Sequence, residues 1–258
     1  MGCLGASKSF NIMSIKETEA LVIKSHNLSE ADRIVVFFTR EHGVVRGVAK
    51  GAKRLHSRFG STLEPFSTVN LTYFQKEDRE LVSIQNVELT RSRFDVASDP
   101  AFLETYSYIA DLLTGFALPH DADEKLYRMI SACLSAEVHG EELDVVRLYF
   151  ELWLLRLSGL LPDWTCCENC ERELDIRRNA YLMTSFHLRC EQCRQRHTFA
   201  EVSPNELRLY QDIQRLAPAA LIESAKDKLH AVTSISGVTR RLIAQALGRE
   251  VATGSALR

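Results

Sequence analysis

Between residues 15 and 90 the chain carries five short β-patterned runs and no helical period long enough to alternate with them. The runs are "TEALVIKS", "RIVVFFTR", "VVRGVAKG", "STVNLTYFQ" and "LVSIQNVELT". In the fourth, Val69, Leu71 and Tyr73 alternate with Asn70 and Thr72, the period of a half-buried strand. Polar "HNLSEAD" separates the first two runs, "KEDRE" the last two, and "EHG" is a tight turn in which Gly43 can take a positive φ. An open sheet of five short strands would leave two unpaired edges. The pattern therefore predicts a small barrel closed on itself, of the five-stranded OB type. An SH3-like barrel has a similar strand count, and the pattern alone does not separate the two.

Past Phe94 the period changes. In "SDPAFLETYSYIADLLTGFAL", Asp99 is an N-cap and Pro100 stands at the first helical position. "DADEKLYRMISACLSAEV" and "EELDVVRLYFELWLLRLSGL" are two further helical runs led by acids, which suit a helix N-terminus. "SPNELRLYQDIQRLAP" has Ser203, Pro204 and Glu206 in capping-box order, and "GVTRRLIAQALGRE" is a last helix. The chain thus reads as a multidomain α+β protein. An extension (1–14) precedes an OB-type barrel (15–92). The first part of a helical domain (93–164), a cysteine segment (165–200) and the closing helical part (201–258) follow.

That cysteine segment holds "TCCENC", then nineteen residues, then "CEQC". Each C-x-x-C lets two thiolates curl round one ion, and a linker of about 15–20 residues is the spacing of four-cysteine zinc sites. Pairing by C-x-x-C selects Cys167 with Cys170 and Cys190 with Cys193. Cys166 is left over, although a wider reach from Cys166 to Cys170 remains an alternative. Four thiolates close the coordination shell and leave no place for water, so the expected zinc is structural, holding together a segment poor in apolar residues. His187 and His197 lie nearby and read as surface residues. With seven cysteines in 258 residues, a disulfide scaffold is disfavoured and a reducing cytoplasm favoured.

Charge is the other strong feature. The whole chain has 34 acidic and 32 basic residues, yet Arg33, Arg40, Arg46, Lys50, Lys53, Arg54 and Arg58 fall within 26 positions that hold a single acid, Glu41. Residues 101–163 offset them with eleven acids against four bases. A charge run is often only a solvated face. Here the cations span two strands and a loop, so on a small barrel they can converge, and Gly43, Gly47, Gly51 and Gly60 would let a phosphate backbone approach. Phe59 beside Arg58 fits a base-stacking ring next to a cation, or equally a plug for the barrel. Several cations facing phosphates would give salt-sensitive affinity without sequence readout.

Some classes are disfavoured. No apolar run reaches the ~18 residues of a membrane span; the longest, "VVRLYFELWLLRLSGLL", is broken by Arg147, Glu151 and Arg156. The N-terminus has no basic region followed by an apolar core, and "MGCLGAS" has Ala6 where a myristoylation signal needs Ser or Thr. "GVAKGAK" lacks the GK[ST] ending of a phosphate loop, and neither a nucleophile elbow nor a carboxylate pair is evident, so no enzyme is expected.

"VVRGVAKGAKRLHSRFGSTLEPFSTVNLTY" resembles the signature of the RecO family of DNA repair proteins, and "GLLPDWTCCENC" is similar to the family's approach to its zinc finger, with Trp164 where Leu is usual. The register of that likeness also points to Cys167 and Cys170. The resemblance covers roughly residues 15–250. It implies an N-terminal OB barrel, a helical domain with an embedded zinc finger, and a recombination mediator. Such a protein binds single- and double-stranded DNA, anneals complementary strands, and works with RecR. It helps load RecA onto DNA coated by single-stranded-DNA-binding protein, whose acidic, apolar C-terminal tail the family recognises. That tail wants an apolar groove rimmed with bases. Because the middle helices are acidic, Arg208, Arg215, Arg240 and Arg241 on the closing helices are the expected rim. A cytoplasmic, nucleoid-associated location follows. Two rival readings remain: an RNA-binding protein built from an OB barrel and a zinc ribbon, and an adaptor whose basic barrel meets an acidic protein and never nucleic acid.

Overall fold

Each of the five β-patterned runs forms a strand. The structure, a computed structural model, describes residues 14–76, 80–93, 95, 98–119, 121–136, 138–196 and 198–251. The strands are β1 (Ser14–Asn27), β2 (Arg33–Thr39), β3 (Gly43–Ala49), β4 (Thr68–Gln75) and β5 (Leu81–Arg91). They close a barrel in the order β1-β2-β3-β5-β4. β1 is long enough to serve two neighbours: Ser14–Leu21 pair with β4, and Ala20–Asn27 pair with β2 across a bulge between Val22 and Lys24. The bulge bends the strand round the corner that closure requires. A short parallel pairing of β3 with β5, Arg46–Leu81 to Val48–Ser83, completes the ring. This is the OB topology expected from the strand pattern, and it sets aside the SH3-like alternative.

Inward positions fill the barrel with Val22, Val35, Phe37, Val45, Val69, Leu71, Tyr73, Val82 and Ile84. Gly47 also points inward, where a Cβ would lie 2.7 Å from Ile84 Cγ1 and 2.9 Å from Val82 Cγ2. It makes room for packing rather than for a phosphate backbone. At Gly43, φ is +58° and a Cβ would sit 2.2 Å from the Asp121 carbonyl oxygen, so this glycine admits a neighbouring segment.

The expected boundaries shift in three places. Ser14, assigned to the extension, starts β1, while residues 1–13 lie outside the described residues. The chain divides into one unit of residues up to 98 together with 117–124, and a second of residues 99–116 with the chain from 125 on. The helical part therefore begins near residue 99, not 93, and 117–124 return to the barrel, where Pro119 bridges Gly43 and Val44. The turn expected in "KEDRE" falls largely outside the described residues, as does Phe94.

The second unit contains α1 (Pro100–Phe116), α2 (Glu124–Ser135, of which Glu124 itself belongs with the barrel), α3 (Glu142–Leu157), α4 (Pro204–Arg215), α5 (Pro218–Ala225) and α6 (Leu229–Leu247). Asp99 caps α1 by accepting the Ala101 N–H at 2.9 Å, and Ser203 with Glu206 forms the capping box of α4. α3 is the central helix, buried on nearly all sides. Short α5 is an addition to the expected elements, and α6 starts at Leu229 rather than Gly237. Among the described residues no helix is long and apolar enough to cross a membrane. The cysteine segment, between α3 and α4, folds as a small antiparallel sheet of β6 (Ala180–Leu182), β7 (Leu188–Arg189) and β8 (Ala200–Val202) in the order β7-β6-β8.

Candidate nucleic-acid interface and metal centre

The basic stretch after β3 is a strap of successive tight turns between β3 and β4. Backbone N–H groups of Arg54, Ser57, Gly60 and Thr62 each donate to the carbonyl three residues earlier, at 2.9–3.3 Å. Winding of this kind sends side chains both ways. Phe59 and Leu63 turn into the barrel core, each 1 % exposed, while Lys53, Arg54 and Arg58 face solvent. Phe59 is therefore a plug and not a stacking surface: a ring with no free face cannot receive a base. Arg58 covers it, with its guanidinium carbon 4.8 Å from the ring centroid, and donates to the Ile84 carbonyl at 3.3 Å.

The cations do not form one cluster. Arg33 pairs with Ala49 across β2 and β3, which puts it beside the start of the strap at Lys50. The strap is tied to that end by the Gly51 N–H donating to Asp32 at 2.8 Å, the Lys53 N–H to the Ala31 carbonyl at 3.0 Å, and Lys53 Nζ to the Ser29 carbonyl at 3.2 Å. Arg33, Lys50 and Lys53 thus share one end of the barrel. Arg46 stands on the outer face of β3, about 13 Å along the strand from Lys50. Arg40 is separate, seven residues and roughly 23 Å along β2 from Arg33. It donates to Glu124 at 3.2 Å and lies 4.0 Å from Glu19; the hydrogen bond to Glu124 and the surrounding carboxylates raise its pKa. Arg40, unlike Arg46, Lys50, Lys53, Arg54 and Arg58, shares its charge with these exposed acids. Among the described residues Arg46, Lys50, Lys53, Arg54 and Arg58 form no ion pair with a carboxylate, so their charge is uncompensated.

In the second unit, the sulfurs of Cys167, Cys170, Cys190 and Cys193 all lie within 4.8 Å of one another, and those of Cys170 and Cys190 are 3.9 Å apart. Tetrahedral coordination with metal–sulfur bonds of about 2.3 Å puts sulfurs about 3.8 Å apart, so the four fit one ion of that kind. Cys166 is outside the group; its thiol accepts from Thr165 Oγ1 at 3.7 Å and its backbone bridges Glu173. Burial opposes a thiolate at Cys167, but N–H groups of Cys190, Cys170 and Asn169 outweigh it and lower its pKa to about 6. At Cys193 the Asn169 amide favours the thiolate, yet burial and the other three cysteines push its pKa up to about 11. Four thiolates this close repel one another, and a cation among them would offset that repulsion. His187 is no member of the group: its ring lies 3.1 Å from the Ser185 carbonyl and 3.8 Å from Glu168. His197 lies outside the described residues.

Trp164 secures this module. Its indole N–H donates to the Phe186 carbonyl at 2.8 Å, and its ring packs against Tyr210 of α4 at 5.2 Å.

The arginines expected to rim a peptide groove are dispersed. Arg240 lies 3.7 Å from buried Glu151, Arg241 stacks on Phe199 at 4.6 Å, Arg208 is held by Asn205, and Arg215 ends α4. An apolar groove with a basic rim occurs instead on α2 and α3. It has a volume of about 380 Å³ and is lined by Met129, Ala132, Tyr149, Trp153 and Leu157, with Lys125 and Arg128 at its edge. Apart from buried Glu151, the acids of these helices gather in their first turns, at Glu124, Glu142 and Asp144, so net charge along the sequence hid a basic rim.

Both halves of the chain match family models: residues 13–93 the N-terminal domain of recombination protein O, and residues 99–253 its C-terminal domain. The DNA repair protein RecO of Koribacter versatilis is 32% identical over 163 residues, 63% of this chain and 66% of that protein. That of Syntrophotalea carbinolica is 33% identical over 153 residues, 59% of each chain. That of Geobacter metallireducens is 30% identical over 181 residues, 70% of this chain and 73% of the relative. The first two alignments span about three fifths to two thirds of the relatives' length. With a barrel and a helical domain each matched to its counterpart along nearly the whole sequence, the chain belongs to the RecO family.

Proposed function

We propose that this chain is a recombination mediator in DNA repair. It binds single- and double-stranded DNA through the barrel, anneals complementary strands, and acts with RecR to load RecA onto DNA coated by single-stranded-DNA-binding protein. The observation that carries the reading is the set of uncompensated cations, Arg46, Lys50, Lys53, Arg54 and Arg58, on one strand and the adjoining strap of an OB barrel. Phosphates neutralised there release counterions, and the repulsion between two strands falls. Annealing so assisted needs no covalent step, and the chain is proposed to be no enzyme. The ion of the four-cysteine site is proposed to be zinc in a structural role, since a closed thiolate shell offers no open position for substrate. The chain is proposed to work in the cytoplasm, on the nucleoid.

The acidic, apolar tail of single-stranded-DNA-binding protein is proposed to lie in the α2–α3 groove, with its carboxylates toward Lys125 and Arg128. The test of the main reading is fluorescence anisotropy of single-stranded DNA, duplex DNA and RNA oligonucleotides across a salt series, with an annealing assay free of nucleotide triphosphate. Steeply salt-dependent DNA binding with accelerated annealing is expected. A strong preference for RNA would favour the RNA-binding alternative, and no nucleic-acid binding at low salt would favour the adaptor.

A further inference from the structure

A trough of about 580 Å³ lies on the outer face of the barrel, next to the start of the strap at Lys50. Strand register explains its shape. Val48 of β3 is the partner of Ser83 of β5, and Ser83 is the partner of Phe74 of β4. Paired residues project to the same face of a sheet. All three point outward here, since their neighbours Val82, Ile84 and Tyr73 fill the core. A small serine therefore stands between two apolar side chains, and the row is concave in the middle. Ser83 makes the floor polar, and its Oγ accepts from the Gln85 amide at 3.3 Å. Leu81, 40 % exposed, forms one end next to its β3 partner Arg46. Lys50 and Lys76 stand on the rim, and among the described residues Glu80 is its one acid.

Apolar walls, an aromatic ring, a hydrogen-bonding floor and a positive rim call for one kind of occupant. It has a flat, partly polar body and negative charge on its flanks. We infer that the Val48–Ser83–Phe74 trough takes a single unstacked nucleobase of a DNA strand, stacked against Phe74, with Lys50 and Lys76 on the adjoining phosphates. The inference rests on the DNA-binding reading above and adds to it a device that tells single strands from duplex. The strap cations meet phosphates of either form, whereas a base that is paired and stacked within a duplex cannot enter a trough. Protein-bound single strands are held with one base turned out until a complementary strand reclaims it.

The test uses the full chain and two substitutions that keep every cation, Phe74→Ala and Ser83→Val. The first removes the stacking wall; the second fills the floor with a side chain that strands accommodate well. Anisotropy is measured with a single-stranded oligonucleotide and with a duplex of the same sequence. Each variant should bind the single strand about tenfold more weakly, the scale of one lost base–aromatic stack. Duplex affinity and the salt slope should stay unchanged, which also shows that the barrel is folded. Single-strand affinity unchanged by Ser83→Val, or an equal loss on single strand and duplex, would overturn the inference while leaving the DNA-binding reading intact. If the unaltered chain binds neither DNA, the reading itself falls and the trough goes with it.

Discussion

Phe59 separates a structural role from a binding role within the basic stretch. Its side chain is 1 % exposed and packs in the barrel core with Leu63, Tyr73 and Ile84. Truncating a phenylalanine in such a place to alanine costs about 3–5 kcal/mol, from lost transfer energy and the cavity left behind. That is most of the stability of many small domains. Phe59→Leu is the better probe, because it keeps an apolar plug and costs roughly 1–2 kcal/mol. With a urea dependence of about 1–2 kcal/mol per molar for a barrel of this size, the midpoint should fall by about 1 M.

The chain offers a convenient way to read the loss. Both of its tryptophans, Trp153 and Trp164, lie in the second unit, so their fluorescence reports that unit and not the barrel. Amide hydrogen exchange at β2 and β3 reports the barrel directly. Phe59→Leu should speed exchange at Val35, Phe37 and Val45 and leave the tryptophan transition in place, while single-strand affinity measured well below the midpoint stays within twofold. A variant with undiminished barrel protection and a large loss of DNA affinity would refute the plug and restore Phe59 as a stacking ring.

Cys167→Ser should release the metal, measured by elemental analysis after dialysis, and lower the melting temperature of the second unit, whereas Cys166→Ser should retain both. Replacing Lys50, Lys53 and Arg54 together with alanine should weaken single-strand binding and reduce the slope of log K against log salt by about two, as three lost phosphate contacts require. Arg128→Glu should abolish the change in Trp153 fluorescence expected when an acidic, apolar-ended peptide enters the α2–α3 groove. Glu151 is 0 % exposed, accepts from the Tyr108 hydroxyl at 2.9 Å and from Thr239, and lies 3.7 Å from Arg240. Burial, only partly offset by these partners, raises its pKa above the ordinary 4.5. The folded state then holds the proton more tightly, so stability is full below pH 4.5 and declines as pH rises through the raised value. Glu151→Gln should remove that decline from the pH dependence of urea unfolding.

What could be read in advance follows from the range of each signal. The five strands were legible because each is a run of seven or more residues rich in β-branched and aromatic side chains, alternating clearly in β4, and barrel closure followed from the cost of open edges. Asp99 and the Ser203–Glu206 pair were legible because a helix cap is a local hydrogen bond between residues at fixed spacing. The cysteine spacing likewise singled out the four residues whose sulfurs converge. β6, β7 and β8 have two or three residues each, too few for any period to show. In the strap, turn winding replaces periodicity, so nothing in "HSRFGSTLEP" says that Phe59 and Leu63 turn inward while Arg58 turns out.

Surface features were the least legible, and for one reason. The α2–α3 groove depends on which face of each helix carries Lys125 and Arg128, while a count along the chain sees only that acids outnumber bases. The trough depends on register: Ser83 lies 35 positions from Val48 and nine from Phe74, and only the parallel pairing with β3 and the antiparallel pairing with β4 set the three in a row. A slip of one residue in either pairing would turn one of them into the core and close the concavity. The cations proposed to grip a phosphate chain can be read from composition, because charge acts over several ångströms in any arrangement. A seat for one base cannot, because it exists only once three strands have chosen their partners.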